Sequence, residues 1–221
     1  MTLPRTVLRV RVREVLLERI LKGELQPGDR LLELRLAEEL GTSQAPVREA
    51  LRELQSLGFV EYEPYKGTRV RRVTEEEIAE IFPVRIALEE LAAYEAAGRL
   101  GGRADELEEE FLGMVKAAGR GDLNGLAAHD ATFHRLIVGA AGNRVLFDTW
   151  RTLRVEARVV ITVLKTDLDL TDLAEMHRPL LVAIAAASPK DAAREMRRHF
   201  EVLRTMMNTD VNTQTVKGRL S

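Results

Sequence analysis

The sequence contains no cysteine among its 221 residues. This absence excludes disulfide bonds, iron–sulfur clusters and cysteine nucleophiles, and it leaves oxygen and imidazole groups as the ligands of any metal. No apolar run approaches the ~18 residues that a membrane helix needs, and the N-terminus lacks a charged segment followed by an apolar stretch. We therefore expect no membrane span, no secretory signal and a cytoplasmic location.

A strong charge of one sign is also missing, since 33 Lys and Arg residues face 35 Asp and Glu residues. The composition nevertheless shifts near residue 73. Residues 1–73 hold 14 basic and 11 acidic residues, whereas residues 74–221 hold 19 and 24. This asymmetry suggests an anionic partner for the first part, although so small an excess, taken alone, favours an ordinary solvated surface.

The apolar spacing of residues 1–73 is typical of a small helical domain with a hairpin. In chain order it predicts helices over residues 7–21 and Leu31–Leu40, a third helix after Ser43, and a hairpin of Phe59–Tyr62 with Thr68–Val70. Gly41 ends the second helix, and Pro46 lies in the first turn of the third helix, where its missing N–H costs little. This order predicts a winged helix-turn-helix.

The third predicted helix has an apolar face and a polar face. Val47, Ala50, Leu51 and Leu54 are expected to point inward, and Gln44, Arg48 and Arg52 repeat every four residues on the opposite face. Gln44 and Arg48 are long enough to donate to base edges in the major groove. Lys66 and Arg69 on the hairpin can hold phosphates or enter the minor groove. A helical adaptor with solvated charges is the alternative.

The segment Ile20–Val70 resembles the GntR family of bacterial transcription regulators. Agreement is dense at Pro27-Gly28, Leu36-Ala37, the string PVREAL and the hairpin glycine Gly67. The resemblance implies that the DNA contacts are made by Ser43, Gln44, Ala45, Pro46, Arg48, Arg52, Lys66 and Gly67. The family usually has Arg where this chain has Gln44, and Gln prefers adenine whereas Arg prefers guanine. We therefore expect a different operator base at that position.

Residues 74–208 are rich in Ala, Leu, Glu and Arg and predict an all-α antiparallel bundle. The expected breaks between its helices are Gly101-Gly102, Gly119–Gly121, Gly142-Asn143 and Ser188-Pro189. Pro83 predicts a bend or an interruption near Phe82. Residues 209–221 are polar and aperiodic, which predicts a loosely held C-terminal tail.

The bundle contains all four histidines of the chain. Asp130 and His134 are four residues apart and share one helix face, while His177 and His199 lie on two other predicted helices. One carboxylate and three imidazoles suit a divalent transition metal with open positions, either zinc or, as alternatives, nickel or manganese. Three isolated histidines are also compatible with ordinary core or surface positions.

Residues 74–207 are similar to the FadR C-terminal type of effector domain, which is attached to one branch of GntR regulators. The similar strings are Arg85–Glu89, Asp130–His134 and Gly142-Asn143, together with the spacing from His177 to His199. Metal-binding members of that branch use one Asp and three His at these places. The resemblance therefore implies a metal site made of Asp130, His134, His177 and His199.

Such a metal can bind a small carboxylate effector with the help of a nearby cation. Arg85, Arg154 and Arg158 are candidates, although Glu89 is an obvious ion-pair partner for Arg85. Asn143 is either a pocket residue or, after Gly142, a helix N-cap. We expect a homodimeric repressor on a palindromic double-stranded DNA operator. A metalloenzyme and a metal-free regulator are the alternatives, and the sequence lacks the HExxH signature of zinc proteases.

Overall fold

The computed structural model describes residues 5–153 and 169–217. The chain divides into two compact units, Met1–Thr74 and Glu75–Ser221. The described residues are mainly helical and include a two-stranded antiparallel sheet, which confirms the predicted fold class. Among the described helices, none is both long enough and apolar enough to cross a membrane.

The first unit is a winged helix-turn-helix. Its elements are α1 (Arg5–Leu21), α2 (Glu33–Glu39), α3 (Gln44–Leu57), β1 (Val60–Glu63) and β2 (Gly67–Val70). Both α1 and α2 pack against α3, whose residues Val47, Ala50, Leu51 and Leu54 are buried as predicted. Gly58 ends α3 in the left-handed conformation, at φ 89°, which glycine adopts without a steric cost.

The hairpin, which we call the wing, forms hydrogen bonds through the free edge of β2 that the sequence pattern did not predict. β1 pairs with β2 from Val60↔Val70 to Glu63↔Gly67. On the other side of β2, the Gly28 N–H donates to the Val70 carbonyl at 2.9 Å and the Leu31 N–H donates to the Thr68 carbonyl at 2.8 Å. The segment that follows α1 therefore does more than turn the chain, because it also fixes the position of the wing.

The second unit is a helical bundle. Its described helices are α4 (Glu75–Leu100), α5 (Asp105–Ala118), α6 (Leu123–Ala140), α7 (Arg144–Thr152), α8 (Leu170–Glu175), α9 (Arg178–Ala185) and α10 (Pro189–Lys217). α4 packs against α6 and α10, and α5 packs against α6. The ends of α4, α5 and α6 fall at the predicted glycine breaks. The core between these helices includes the buried rings of Phe133, Trp150 and Phe200.

Two local expectations differ from the observed helices. α4 continues through Pro83, so the predicted interruption near Phe82 does not occur. Burial of Ile81, Phe82 and Ile86 on both sides of the proline holds the two halves in one helix. α10 continues to Lys217, past the expected start of the tail at residue 209, since extending an existing helix costs far less than nucleating one.

Candidate nucleic-acid interface and metal centre

The exposed face of α3 carries the predicted recognition residues. Gln44, Arg48 and Arg52 are exposed, as is Ser43 before the helix, whereas Ala45 is half-buried and Pro46 is buried. Ser43 stands at the N-cap without a side-chain cap hydrogen bond, so its hydroxyl is not used within the helix. The face therefore presents long polar side chains beside a helix N-terminus, which suits the phosphates and base edges of DNA.

Arg48 is paired with an acidic residue at the start of α2. Its Nη2 lies 2.8 Å from Oε2 of Glu33, and its Nε donates to the same oxygen at 2.9 Å. Glu33 was not a predicted site residue, because the separation of 15 positions between the two residues hides the contact. The helix-turn-helix packing brings α2 and α3 together and so creates the pair.

On the wing, the three predicted residues have different environments. Lys66 is exposed and forms an ion pair with Glu63, with 2.7 Å between Nζ and Oε2. Gly67 has a φ of 83° at the start of β2, and the exposed guanidinium of Arg30 lies beside it. Arg69 is half-buried, and its Nη1 donates to the Gly28 carbonyl at 2.9 Å. Arg69 therefore supports the wing, and Arg30 is a surface cation that sequence reasoning missed.

Three of the histidines converge inside the bundle. His134 on α6, His177 directly before α9 and His199 on α10 each offer a ligand atom, and these atoms lie within 4.8 Å of one another. All three side chains are buried. His129 differs, since its side chain is 42% exposed and its Nδ1 contacts Oε2 of Glu110 at 2.7 Å. The structure thus brings together the three histidines named as ligands and leaves the fourth at the surface.

Asp130 joins this cluster through His177. Its Oδ1 lies 3.0 Å from Nε2 of His177, and its buried Oδ2 has no hydrogen-bond partner among the described residues. Burial opposes ionisation of this carboxyl, but the contact with His177 and the nearby imidazoles lower the pKa of Asp130 overall. The group is therefore available as an ionised oxygen ligand.

The hydrogen bonds of two histidines determine which nitrogen faces the cluster. Nδ1 of His177 contacts the carbonyl oxygens of Leu173 at 3.0 Å and Ala174 at 3.3 Å, so this nitrogen must carry the proton. Nε2 then faces Oδ1 of the Asp130 carboxylate, and these two atoms can share a cation. Nδ1 of His134 contacts Oε2 of Glu89 at 2.5 Å, which leaves its Nε2 as the ligand atom.

His199 supplies the third imidazole in the form that a metal needs. Burial, followed by the neighbouring His177 and His134, lowers the pKa of His199 well below its usual value. The ring is therefore neutral at neutral pH, and its Nδ1 is buried without a hydrogen-bond partner among the described residues. The three converging imidazoles, one ionised carboxylate and several unpartnered buried atoms fit a divalent transition metal.

Glu89 is the carboxylate that connects the cluster to the surrounding core. Its Oε1 accepts from Nε of Arg85 at 2.7 Å and from the indole N–H of Trp150 at 2.9 Å, while Oε2 contacts His134. Although burial opposes ionisation, the charges of Arg85 and His134 lower the pKa of Glu89 to about 2. The Arg85–Glu89 pair was predicted from the four-residue spacing, but the contacts with α6 and α7 were not.

A small cavity adjoins the cluster. It has a volume of about 30 Å³, and its lining includes Arg85, Asp130 and the three buried histidines. Nη2 of Arg85 is buried, and within the described part of the chain it has no hydrogen-bond partner. Because one water needs roughly 10–15 Å³ on this scale, the cavity admits an ion and a water, and a larger ligand must displace side chains such as Met176 or Phe200.

The remaining effector candidates are not brought to this cavity among the described residues. Asn143 is exposed at the N-cap of α7, where its side chain accepts from the Leu146 N–H at 3.1 Å, and it is absent from the lining. The alternative N-cap interpretation of Asn143 therefore agrees with the structure. Arg154 and Arg158 lie outside the described residues.

Comparison with known proteins matches both parts of the chain to described families. Residues 8–70 match the bacterial regulatory proteins of the gntR family, and residues 80–202 match the FCD domain. The chain is 39% identical to a probable D-xylose utilization operon transcriptional repressor of Paenarthrobacter nicotinovorans, over 89% of this chain and 87% of that protein. It is 34% identical to a gluconate operon transcriptional repressor of Bacillus licheniformis, over 66% and 60% of the two chains.

Solved structures share the fold. Escherichia coli McbR/YncC aligns with a TM-score of 0.70 at 24% identity, covering 92% of this chain and 98% of that chain. A putative GntR regulator from Rhodococcus sp. RHA1 aligns with a TM-score of 0.67 at 23% identity, covering 91% and 97%. Because both sequence identities are below 25%, these structural similarities support only the two-part architecture and not a function.

Proposed function

Because the chain belongs to the GntR family of bacterial regulatory proteins and carries an FCD domain, we propose that it is a homodimeric transcriptional repressor controlled by a metal-dependent effector site. Its matched families and relatives are transcription regulators rather than enzymes. The observation that carries the proposal is the buried cluster of three histidines and Asp130 in the same chain as an exposed recognition helix.

In this proposal, α3 enters the major groove of a palindromic operator. Gln44 and Arg48 donate to base edges and Arg52 neutralises a phosphate. Lys66, which is paired with Glu63, enters the minor groove. Ser43, Ala45, Pro46 and Gly67 bring the backbone close to the duplex, and Arg69 acts mainly by holding the wing to Gly28. One recognition helix covers a half-site, so two copies of the chain are needed to read a palindrome.

Asp130, His134, His177 and His199 would hold the divalent metal, with zinc as the first candidate and nickel or manganese as alternatives. Glu89 and the carbonyls of Leu173 and Ala174 orient two of the imidazoles. When bound, the metal offers open coordination positions to a carboxylate oxygen. The unpartnered Nη2 of Arg85 is placed to donate a charge-assisted hydrogen bond to the same effector.

The small cavity suggests how an organic acid would act on the regulator. An acid of several atoms does not fit into about 30 Å³, so its binding must shift side chains and the helices that carry them. The effector then favours one arrangement of the dimer over the other, which changes operator affinity. Because one relative is a probable D-xylose utilization operon repressor and another is a gluconate operon repressor, operons for carbon-source utilisation are the first targets to examine.

Selection of bound duplexes from a randomised DNA library tests the DNA-binding part of the proposal. The full-length protein, purified without a polyhistidine tag, should enrich a palindromic site. Failure to enrich any sequence above the starting library would contradict the proposal.

Metal analysis of the same untagged protein tests the effector site. We expect roughly one zinc, nickel or manganese ion per chain, because three imidazoles and one carboxylate lie close together in the buried cluster. A content below about 0.2 ion per chain after incubation with each metal and desalting would favour a metal-free regulator.

A further inference from the structure

We propose that Glu33 is a positioning residue that directs Arg48 toward a base pair and away from the phosphate backbone. This inference rests on the proposed DNA-binding function and deepens it by assigning a role to a residue outside the recognition helix. It follows from the geometry of the Arg48–Glu33 pair and from its net charge.

The pair occupies one defined edge of the guanidinium. Glu33 lies in the first turn of α2, and its Oε2 is 2.9 Å from Nε and 2.8 Å from Nη2 of Arg48. Its Oε1 also accepts from Nε at 3.1 Å. These contacts restrain the rotation of a long side chain that otherwise samples many rotamers.

The opposite edge of the guanidinium remains available for DNA. An Arg side chain has five N–H donors, and the contact with Glu33 engages the edge formed by Nε and Nη2. The second fork, formed by Nη1 and the other Nη2 proton, matches the O6 and N7 acceptors of guanine. Glu33 therefore leaves free the terminal N–H groups of Nη1 and Nη2, which can donate together to one guanine.

The charge of the pair makes phosphate binding a poor alternative. Arg48 and Glu33 together are neutral, so they gain little from the phosphate potential that attracts isolated cations. Arg52 lies one turn farther along α3 and is exposed, and within the described part of the chain we find neither an ion pair nor a hydrogen bond to it. Arg52 can follow a phosphate, whereas Arg48 is restrained for a base.

A double-mutant cycle on the full-length protein tests this role. The probes are a duplex selected from a randomised library by the wild type and a scrambled duplex of equal composition, and the readout is the ratio of their dissociation constants. The variants are Glu33→Gln, Arg48→Ala and the two combined. Glu39→Gln is the matched control, because Glu39 also pairs from α2, with Arg35 at 3.0 Å and Arg19 at 3.1 Å, but does not contact Arg48.

We expect Glu33→Gln to reduce the ratio about tenfold, because a base contact in each of the two half-sites of the dimer is weakened and not removed, and to tighten binding to the scrambled duplex. Glu39→Gln should leave the ratio unchanged. In the Arg48→Ala background, Glu33→Gln should have no further effect on the ratio, because Glu33 acts through Arg48.

Two results would overturn the inference. One is a ratio of dissociation constants in Glu33→Gln that equals the wild-type ratio. The other is that Glu33→Gln lowers the ratio equally in the wild-type and Arg48→Ala backgrounds, which would mean that Glu33 acts on DNA independently of Arg48. A wild type that fails to distinguish the two duplexes would instead overturn the proposed function itself. Melting temperatures of all variants verify that each protein is folded, and we expect them to match the wild type because the two side chains are 50% and 32% exposed.

Discussion

The two regions of this chain each contain an Arg–Glu pair with nearly the same separation and opposite surroundings. In the winged helix-turn-helix, Arg48 and Glu33 approach to 2.8 Å with side chains that are 50% and 32% exposed. In the bundle, Arg85 and Glu89 approach to 2.7 Å with side chains that are 5% and 0% exposed. Distance alone therefore does not define the role of such a pair.

Burial decides what each pair can do. An exposed pair contributes about 0–1 kcal/mol to stability, so the pair between Arg48 and Glu33 is not needed for folding and can be shared with DNA. Breaking a buried pair costs about 3–5 kcal/mol, because one charge is left without compensation. The bundle pair is accordingly suited to fix His134, the proposed metal ligand, and the surface pair is suited to the proposed role in recognition.

Replacing Glu89 should have the largest effect on stability. Glu89→Gln keeps the shape but leaves the buried Arg85 without a counter-charge, so we expect the free energy of unfolding to fall by about 3–5 kcal/mol in urea denaturation. Glu90→Gln is the control, because Glu90 is the next residue of α4 and its ion pair with Arg197 is partly exposed. Equal losses in the two variants would contradict the distinction between buried and exposed pairs.

The acid sensitivity of the bundle should depend on the same carboxylate. The pKa of Glu89 is about 2 in the folded protein against 4.5 for the free group, so the unfolded state takes up the proton first. The resulting stability is fully present above pH 4.5 and is lost as the pH falls toward 2. Urea denaturation across this window should show a smaller loss of stability in Glu89→Gln than in the wild type. If the free energy of unfolding depended on pH identically in the two proteins, this would argue against the lowered pKa of Glu89.

Removing the metal should destabilise the bundle by nearly as much. Zinc at 1,000 times its dissociation constant adds about 4 kcal/mol to the free energy of unfolding, so a chelator should lower the melting temperature of the untagged wild type. His134→Ala should melt at a lower temperature, lose its response to chelator and lose its response to organic acids. His129→Ala is the control, because His129 is at the surface. A His134→Ala protein that melts like the wild type, with or without chelator, would contradict the metal site.

Removing Arg48 should affect DNA binding and leave stability unchanged. Arg48→Ala should weaken binding to the selected duplex about 100-fold, since the dimer loses one base contact in each half-site. Its melting temperature should match that of the wild type. Arg35→Ala is the control, because Arg35 is an exposed, paired arginine on α2. Normal affinity in Arg48→Ala would refute the assignment of α3 as the recognition helix.

The smallest expected effect concerns Asn143. Asn143→Ala removes an N-cap and should cost about 1 kcal/mol of stability, while metal content and the thermal response to organic acids remain those of the wild type. Isothermal titration with an acid identified by thermal shift would check this outcome. A loss of acid binding in Asn143→Ala would instead identify Asn143 as a pocket residue.

Sequence reasoning succeeded where the determining interaction is local. The inward positions of α3, the Arg85–Glu89 pair and the N-cap at Asn143 all depend on spacings of four residues or fewer. It missed contacts that only packing creates, such as Glu33 with Arg48 and Glu89 with His134, which are 15 and 45 residues apart. Of the bend or interruption expected near Pro83, the interruption does not occur, because burial of the neighbouring residues outweighs a local helix preference.

Sequence-specific DNA binding is the property on which the proposed regulatory function of this chain depends, and one equilibrium titration measures it. The untagged, zinc-loaded wild type is titrated with the selected duplex and with a scrambled duplex at physiological salt. We expect the selected duplex to bind at least about 1,000-fold more tightly. Equal affinity for the two duplexes would contradict the assignment of this chain as a sequence-specific regulator.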